Sequence, residues 1–281
     1  MKRKQNTAPI VVAVVSDLHS GSTVGLCPPI INLDDGGTYR AGPHQVWLWN
    51  QWKDFCKKAR QTAKKQGGKF VAIMNGDMTE GNHHHTRQII GAGNETLQMR
   101  IAEKNLGELL EHADAAYFLR GTPVHVKEQS ALEEKVADNW TTTVPAHDGA
   151  ATWWHLLLDA NGTRFDVAHH GQLGRLVWTK TNPLGKVAIA AEIRGYRRYG
   201  RAPDVLIRSH LHQYADSNDN YPVRVIQTPG WQLITGFVHK IDVDSLADIG
   251  GLIFTCDPGG EYDCEVVRYH PDPDPVQRIE L

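Results

Sequence analysis

Aspartate and histidine recur along this chain of 281 residues in short pairings that can hold a cation. Asp17-Leu18-His19, Asn75-Gly76-Asp77, Arg120-Gly121-Thr122-Pro123-Val124-His125, His169-His170-Gly171 and Ser209-His210-Leu211-His212 each follow a run of largely apolar residues. Side chains two apart in an extended segment point the same way, so Asp17 with His19 can aim at one point. A carboxylate such as Asp77 can bridge two cations, and Gly76 lets another backbone come close. Imidazole mixed with carboxylate suits Mn, Fe, Zn or Ni better than Mg, which prefers an all-oxygen shell. Taken singly, each residue has a plainer explanation: an Asp after a strand caps a turn, and a lone His sits on the surface. Five ligand-bearing strand ends in one chain are not explained in that way.

The elements that must position these residues can be read from periodicity. Ile10 to Ser16 is a nearly continuous apolar run rich in Val, as expected of a strand covered on both faces. A helix is predicted from Gln45 to Gln66, ending at Gly67-Gly68, and another over Glu95 to His112; Phe70 to Met74 and Ala115 to Leu119 read as strands. This βαβαβ order favours a parallel sheet, whose ligands bind beyond the carboxyl ends of the strands. Strands are predicted at Trp154 to Leu158 and Arg164 to Ala168, joined through Asn161-Gly162, a strong hairpin signal. A helix over Leu184 to Tyr199 precedes strand Val205 to Ser209, then Gln213 to Asp216 pairs with Val223 to Gln227, and Leu252 to Cys256 with Cys264 to Tyr269. Ser20 to Pro43 reads as a long functional loop, and 271–281 as an extended tail. A parallel half followed by a hairpin-rich half predicts an α/β fold of two packed mixed β-sheets flanked by helices, within one domain spanning 1–281.

Thirty Lys and Arg against 32 Asp and Glu leave a formal charge of -2, so no global basic field points to nucleic acid or to a membrane surface. No apolar run approaches the roughly 20 residues of a spanning helix, and no leader pattern opens the chain. Cys27, Cys56, Cys256 and Cys264 form no CxxC pair; with these features, a cytoplasmic location without membrane contact is expected.

In their order the motifs resemble those of the calcineurin-like metallophosphoesterase superfamily, D-x-H, G-D, G-N-H, H and G-H-x-H, from about Val11 to His212, with Thr228-Pro229-Gly230-Trp231 as a structural continuation. The resemblance implies an α/β/β/α sandwich and a dinuclear-metal hydrolase of phosphoesters, with two divalent transition-metal ions, manganese first and Fe, Zn or Ni behind it. It implies that one metal is held by Asp17, His19, Asp77 and His212, and the other by Asp77, His169 and His210. His169 is chosen over His170 because family members often place the ligand two residues before a Gly or Pro, here Gly171. Two such cations, roughly 3.5 to 4 Å apart, activate a bridging water and steady the entering and leaving oxygens.

The chain departs from the family at Thr122, which stands where the usual Asn would be, and at His125, two positions late. Thr122, His125 or water can complete the second metal, and His125 is the candidate general acid. Asn82 and His83 are further candidates for metal or substrate, and Arg120 and Arg197 for phosphate. The H-x-G motif, shared with the family's DNA-repair nuclease branch, and the Arg194, Arg197, Arg198 and Arg201 cluster favour phosphodiesters of nucleotides or nucleic acid. The alternatives are a phosphomonoesterase or protein phosphatase, or an inactive scaffold on the same fold.

Overall fold

β1 (Ile10–Val15) is a fully covered strand in the computed structural model, which describes residues 8–82, 88–127, 130–174, 176–241 and 246–271. After it come the small hairpin β2 (Ile30–Asn32) and β3 (Thr38–Arg40), α1 (Pro43–Gln66), β4 (Phe70–Asn75), α2 (Glu95–Leu110) and β5 (Ala115–Leu119). The short α3 (Pro123–Val126), α4 (Ala131–Asp138), β6 (Thr152–Trp153), β7 (Leu156–Ala160), β8 (Thr163–His170) and α5 (Asn182–Tyr199) follow. The chain continues through β9 (Val205–Ser209), β10 (Ala215–Asp216), β11 (Arg224–Gln227), α6 (Gly236–Ile241), β12 (Ile249–Cys256) and β13 (Tyr262–Tyr269).

Two mixed sheets form the body. The first has the order β13-β12-β1-β4-β5-β6, and the second β10-β11-β9-β8-β7. β1, β4, β5 and β6 run parallel, as do β8, β9 and β11, with antiparallel strands at one edge of the first sheet and at both edges of the second. Alternation along β1 explains the layers: Val11, Ala13 and Val15 pack with Leu48, Trp52 and Phe55 of α1 and Ala102 and Leu106 of α2. Val12 and Val14 face the other way, against Phe165, Val167, Val205 and Ile207 of the second sheet. α5 covers the outer face of that second sheet through Leu184, Ala188 and Ala191 on Leu206 and Val225. The architecture is the expected α/β/β/α sandwich.

Local chemistry sets several boundaries. Pro43 opens α1, and Gly67, at φ 65°, closes it with its amide on the Ala63 carbonyl. Asn161 and Gly162 both take positive φ, which turns β7 tightly into β8 with Ala160 opposite Thr163. Two expectations need correction. The strand expected over Trp154 to Leu158 begins only at Leu156: Trp154 and His155 bend between β6, where Thr152 pairs with Phe118 in the first sheet, and β7 in the second. One apolar run thus hides a crossing between sheets. The Ser20 to Pro43 segment contains the β2–β3 hairpin, too short for a periodicity signal. α4 was not anticipated, since eight residues provide little more than two turns of pattern. Residues of the expected tail beyond 271 lie outside the described residues.

All four cysteines are free thiols. Among the described residues, no helix is long and apolar enough to cross a membrane.

Candidate metal centre

The parallel strands deliver the motif residues to one end of the sandwich, and backbone hydrogen bonds stitch the loops there. The amides of Asp17 and His19 donate to the carbonyls of Gly76 and Asp77 at 2.9 and 3.0 Å, and the Trp231 amide donates to the Asp17 carbonyl at 2.9 Å. Five motif residues, Asp17, His19, Asp77, His210 and His212, have φ between 46° and 79°. Left-handed backbone is uncommon in non-glycine residues and costs of order 1–3 kcal/mol each, so it persists where surrounding structure enforces it. Here it turns each side chain inward over its strand end.

Donor atoms converge in overlapping groups. In Asp17, His19, His212, in Asp17, Asp77, His169, and in His19, Asp77, His125, one donor atom from each residue lies within 4.8 Å of the others. The same holds for His169, His170 and His210. Asp17 Oδ1 is buried and, among the described residues, accepts no hydrogen bond. His212 Nε2 stands 3.2 Å from it, and the Nε2 atoms of His19 and His169 are both at 4.0 Å. The Nε2 atoms of His19 and His212 face each other at 3.1 Å. A carboxylate oxygen without a hydrogen bond among inward imidazole nitrogens is costly on its own and well matched to a cation. The donor set therefore fits metal.

Electrostatics reflect the crowding. Burial opposes ionisation of Asp17 and Asp77, but His212 and His169 beside Asp17, and His169 and His210 beside Asp77, hold both carboxyls below the usual range. Burial also disfavours charge on His169, yet the adjacent Asp77 and Asp17 carboxylates push it up to about 10. Its Nδ1 donates to the Asn75 carbonyl at 2.6 Å, which leaves Nε2 facing Asp77 Oδ2 at 2.9 Å.

The residues of the irregular third motif join the group by different routes. The Thr122 amide donates to Asp77 Oδ1 at 2.7 Å, and its hydroxyl lies 3.0 Å from His210 Nδ1 and 3.3 Å from His169 Nε2. Gly121 makes this approach feasible, since a Cβ there would collide with the Asp77 carboxylate. His125 donates from Nδ1 to the Glu80 carbonyl at 2.8 Å and packs its ring edge-on to His19, with centroids 4.5 Å apart. Burial, and then the His19 charge, push His125 down to about 4. His170 is exposed, its ring 5.0 Å from those of both His169 and His210.

Other expectations fall elsewhere. Arg120 is engaged away from the centre, with Nε donating to Thr152 Oγ1 at 2.9 Å and its guanidinium over Trp154. Arg197 is exposed on α5, on the outer face of the second sheet. Asn82 is exposed beside Gly93 and does not line the cleft over the motif residues. His83 lies outside the described residues. Periodicity and motif spacing did not point to Glu80, Gln232 or Glu133. Glu80 Oε2 accepts from His19 Nδ1 and Gln232 Nε2, both at 2.9 Å. The buried Glu133 of α4 accepts the amides of Gly121 at 2.7 Å and Met78 at 3.2 Å, which binds the β4 and β5 loops together. Beneath the centre, Asn75 donates to Ser209 Oγ at 2.6 Å, and Thr228 Oγ1 lies 2.8 Å from that hydroxyl and 2.9 Å from Ser16 Oγ. Ser209 thus ties β9 to β4 and to the end of β11 beneath the centre.

No family model matches the chain, and no curated protein matches it. Among solved structures, the chain is similar to a dimetal phosphatase from Danio rerio at 9% identity, covering 93% of this chain and 96% of that one with a TM-score of 0.45. It is similar to a hypothetical protein from Pyrococcus horikoshii OT3 at 10% identity, covering 93% and 89% with a TM-score of 0.41. A 5'-nucleotidase from Candida albicans is 11% identical, with 95% of this chain and 52% of that one covered and a TM-score of 0.39.

Proposed function

We propose that the chain is a two-metal phosphoesterase of the calcineurin-like type that hydrolyses phosphodiesters of nucleotides or nucleic acid. The observation that carries this reading is the set of inward donors around the buried Asp17 Oδ1, which accepts no hydrogen bond among the described residues, held by left-handed backbone at Asp17, His19, Asp77, His210 and His212. A scaffold has no physical need to maintain such an arrangement against its cost.

In this reading Asp17, His19 and His212 would hold one cation and His169 and His210 the other, with Asp77 available to both. Two cations at these positions would lower the pKa of a water between them and stabilise the charge that develops on a phosphoryl group. Manganese is the first choice among Mn, Fe, Zn and Ni, the four ions that mixed imidazole and carboxylate ligation suits better than Mg. The protein's own part is positional. Glu80 and the Asn75 carbonyl fix the His19 and His169 rings through Nδ1, which leaves Nε2 of each as the atom that would meet a cation. The cleft above, about 800 Å³, has Val124, Leu211, Leu233 and Ile234 along its walls beside His125 and His210, which leaves room for a nucleoside next to the phosphate. His125 offers Nε2 to the leaving oxygen. Burial and the His19 charge hold His125 down to about 4 in the metal-free protein, so the charge of the bound phosphate must raise its pKa for it to deliver a proton.

The reading is tested with purified protein and Mn on bis-p-nitrophenyl phosphate, p-nitrophenyl phosphate and DNA, together with metal analysis of wild type and Asp77→Ala. Hydrolysis of the diester, near two metal equivalents and loss of both in the variant are expected. A folded, metal-free protein inactive on all three substrates removes the reading. The acid role of His125 fails if His125→Ala keeps the full rate on a substrate with a poor leaving group.

A further inference from the structure

α5 covers only part of the second sheet. Its apolar side rests over β9 and β11, and beside it the outer face of β7 and β8 stays open as a groove of about 680 Å³. The floor carries Arg164, Asp166 and Ala168, outward along β8, while Phe165 and Val167 turn into the core. Asp166 is already neutralised by Arg208 at 2.8 Å and His155 at 2.9 Å. On the wall, Arg194 and Arg198 stand one helical turn apart, both exposed, and among the described residues neither makes an ion pair or side-chain hydrogen bond. Tyr199, 52% exposed, offers a ring beside them.

We propose that this groove holds the sugar-phosphate backbone of a single-stranded nucleic acid, a second contact for the substrate strand; the proposal rests on the phosphodiesterase reading above. Charge complementarity identifies the occupant. Two guanidiniums on one wall of a concave surface, without an ion pair among the described residues, beside two lining acids already paired, Asp166 with Arg208 and Asp159 with Arg164 at 3.7 Å, leave a net attraction for a row of phosphates. A solvated helix face would show the same arginines without a groove in front of them. Unpaired bases suit the site because Tyr199 provides a stacking surface without sequence readout. The strand that floors the groove also ends at the candidate metal centre. At ~3.3 Å per residue, β8 carries this face over roughly 20 Å from Arg164 to His170, and His170 packs against His210.

The test is fluorescence anisotropy of a fluorescein-labelled oligo-dT with the full chain in EDTA, comparing wild type with the double variant Arg194→Glu, Arg198→Glu. The variant is expected to bind about tenfold or more weakly, with a salt dependence shallower by about 1.4 in log-log slope for two lost phosphate contacts on a single strand. Its rate on bis-p-nitrophenyl phosphate with Mn should be unchanged, since that small diester does not reach the groove. Equal binding by variant and wild type overturns the proposal, as does equally tight binding of a duplex. Displacement of the oligonucleotide by polyglutamate as readily as by unlabelled oligo-dT also overturns it, in favour of an acidic protein partner. A wild-type chain that hydrolyses no phosphoester overturns the reading beneath it. One that hydrolyses the small diester yet binds oligo-dT no better than the variant overturns the groove alone.

Discussion

Glu80 belongs to none of the ligand motifs, yet two candidate residues depend on it. Its carboxylate accepts from His19 Nδ1 at 2.9 Å and its carbonyl from His125 Nδ1 at 2.8 Å, so both rings are orientated from one residue, and Gln232 in turn holds the carboxylate. An imidazole tethered through one nitrogen presents the other in a fixed direction and gains basicity toward a metal. Glu80→Ala is therefore expected to lower Mn affinity by about 10–100-fold, read by calorimetric titration with the fold checked by circular dichroism. An unchanged affinity in a folded variant would show that His19 needs no such support.

The elements divide the labour: strand ends carry the motifs, and the contact between the two sheets keeps the ends in register. β1 and β4 present Asp17 and Asp77, whereas His169 and His210 come from β8 and β9 on the other sheet. Phe165 lies at that contact, 1% exposed and edge-on to Phe254 at 5.0 Å. Phe165→Ala is expected to cost about 3–5 kcal/mol by leaving a cavity, measured by urea denaturation. A loss under ~1 kcal/mol would mean that the sheets re-close around the missing ring. α4 works at this scale as well, because Glu133 reaches from it to the amides of Gly121 and Met78 and joins two loops that share no strand.

For the molecule as a whole, the pH dependence of stability follows from burying that carboxyl. Burial, and then the Asp77 charge, push Glu133 from its ordinary 4.5 up to about 8. The fold thus retains a proton that the unfolded chain has already released, so the unfolded state binds fewer protons and stability falls with rising pH. The contribution is absent below about pH 4.5, grows from there to about 8, and is then constant. In metal-free protein, Glu133→Gln should flatten this part of the decline, as measured by denaturant unfolding at pH 5 and pH 8. An identical pH profile for the two proteins would refute it.

The order of the apolar runs and of the residues after them is a local property, and it was legible. Val-rich β1, the Asn161-Gly162 turn and the five motif ends follow from side-chain periodicity and turn stereochemistry, which act within a few residues. The order of the motifs, through the family resemblance it carries, likewise singled out Asp17, His19, Asp77, His169, His210 and His212 as candidates. What spacing could not decide was anything that depends on residues distant in the chain. The crossing between sheets at Trp154-His155 is invisible in a single apolar run. The partners Glu80, Gln232 and Glu133 gain meaning only once His19, Asp77 and Gly121 stand beside them. Arg120 looked like a phosphate ligand by sequence and is held by Thr152 and Trp154 in space. Thr122 is drawn in because Gly121 lacks a Cβ and the Asp77 carboxylate lies against it. A side chain's type sets what chemistry it can do, but the distance and direction to its partners are set by the packing of the two sheets.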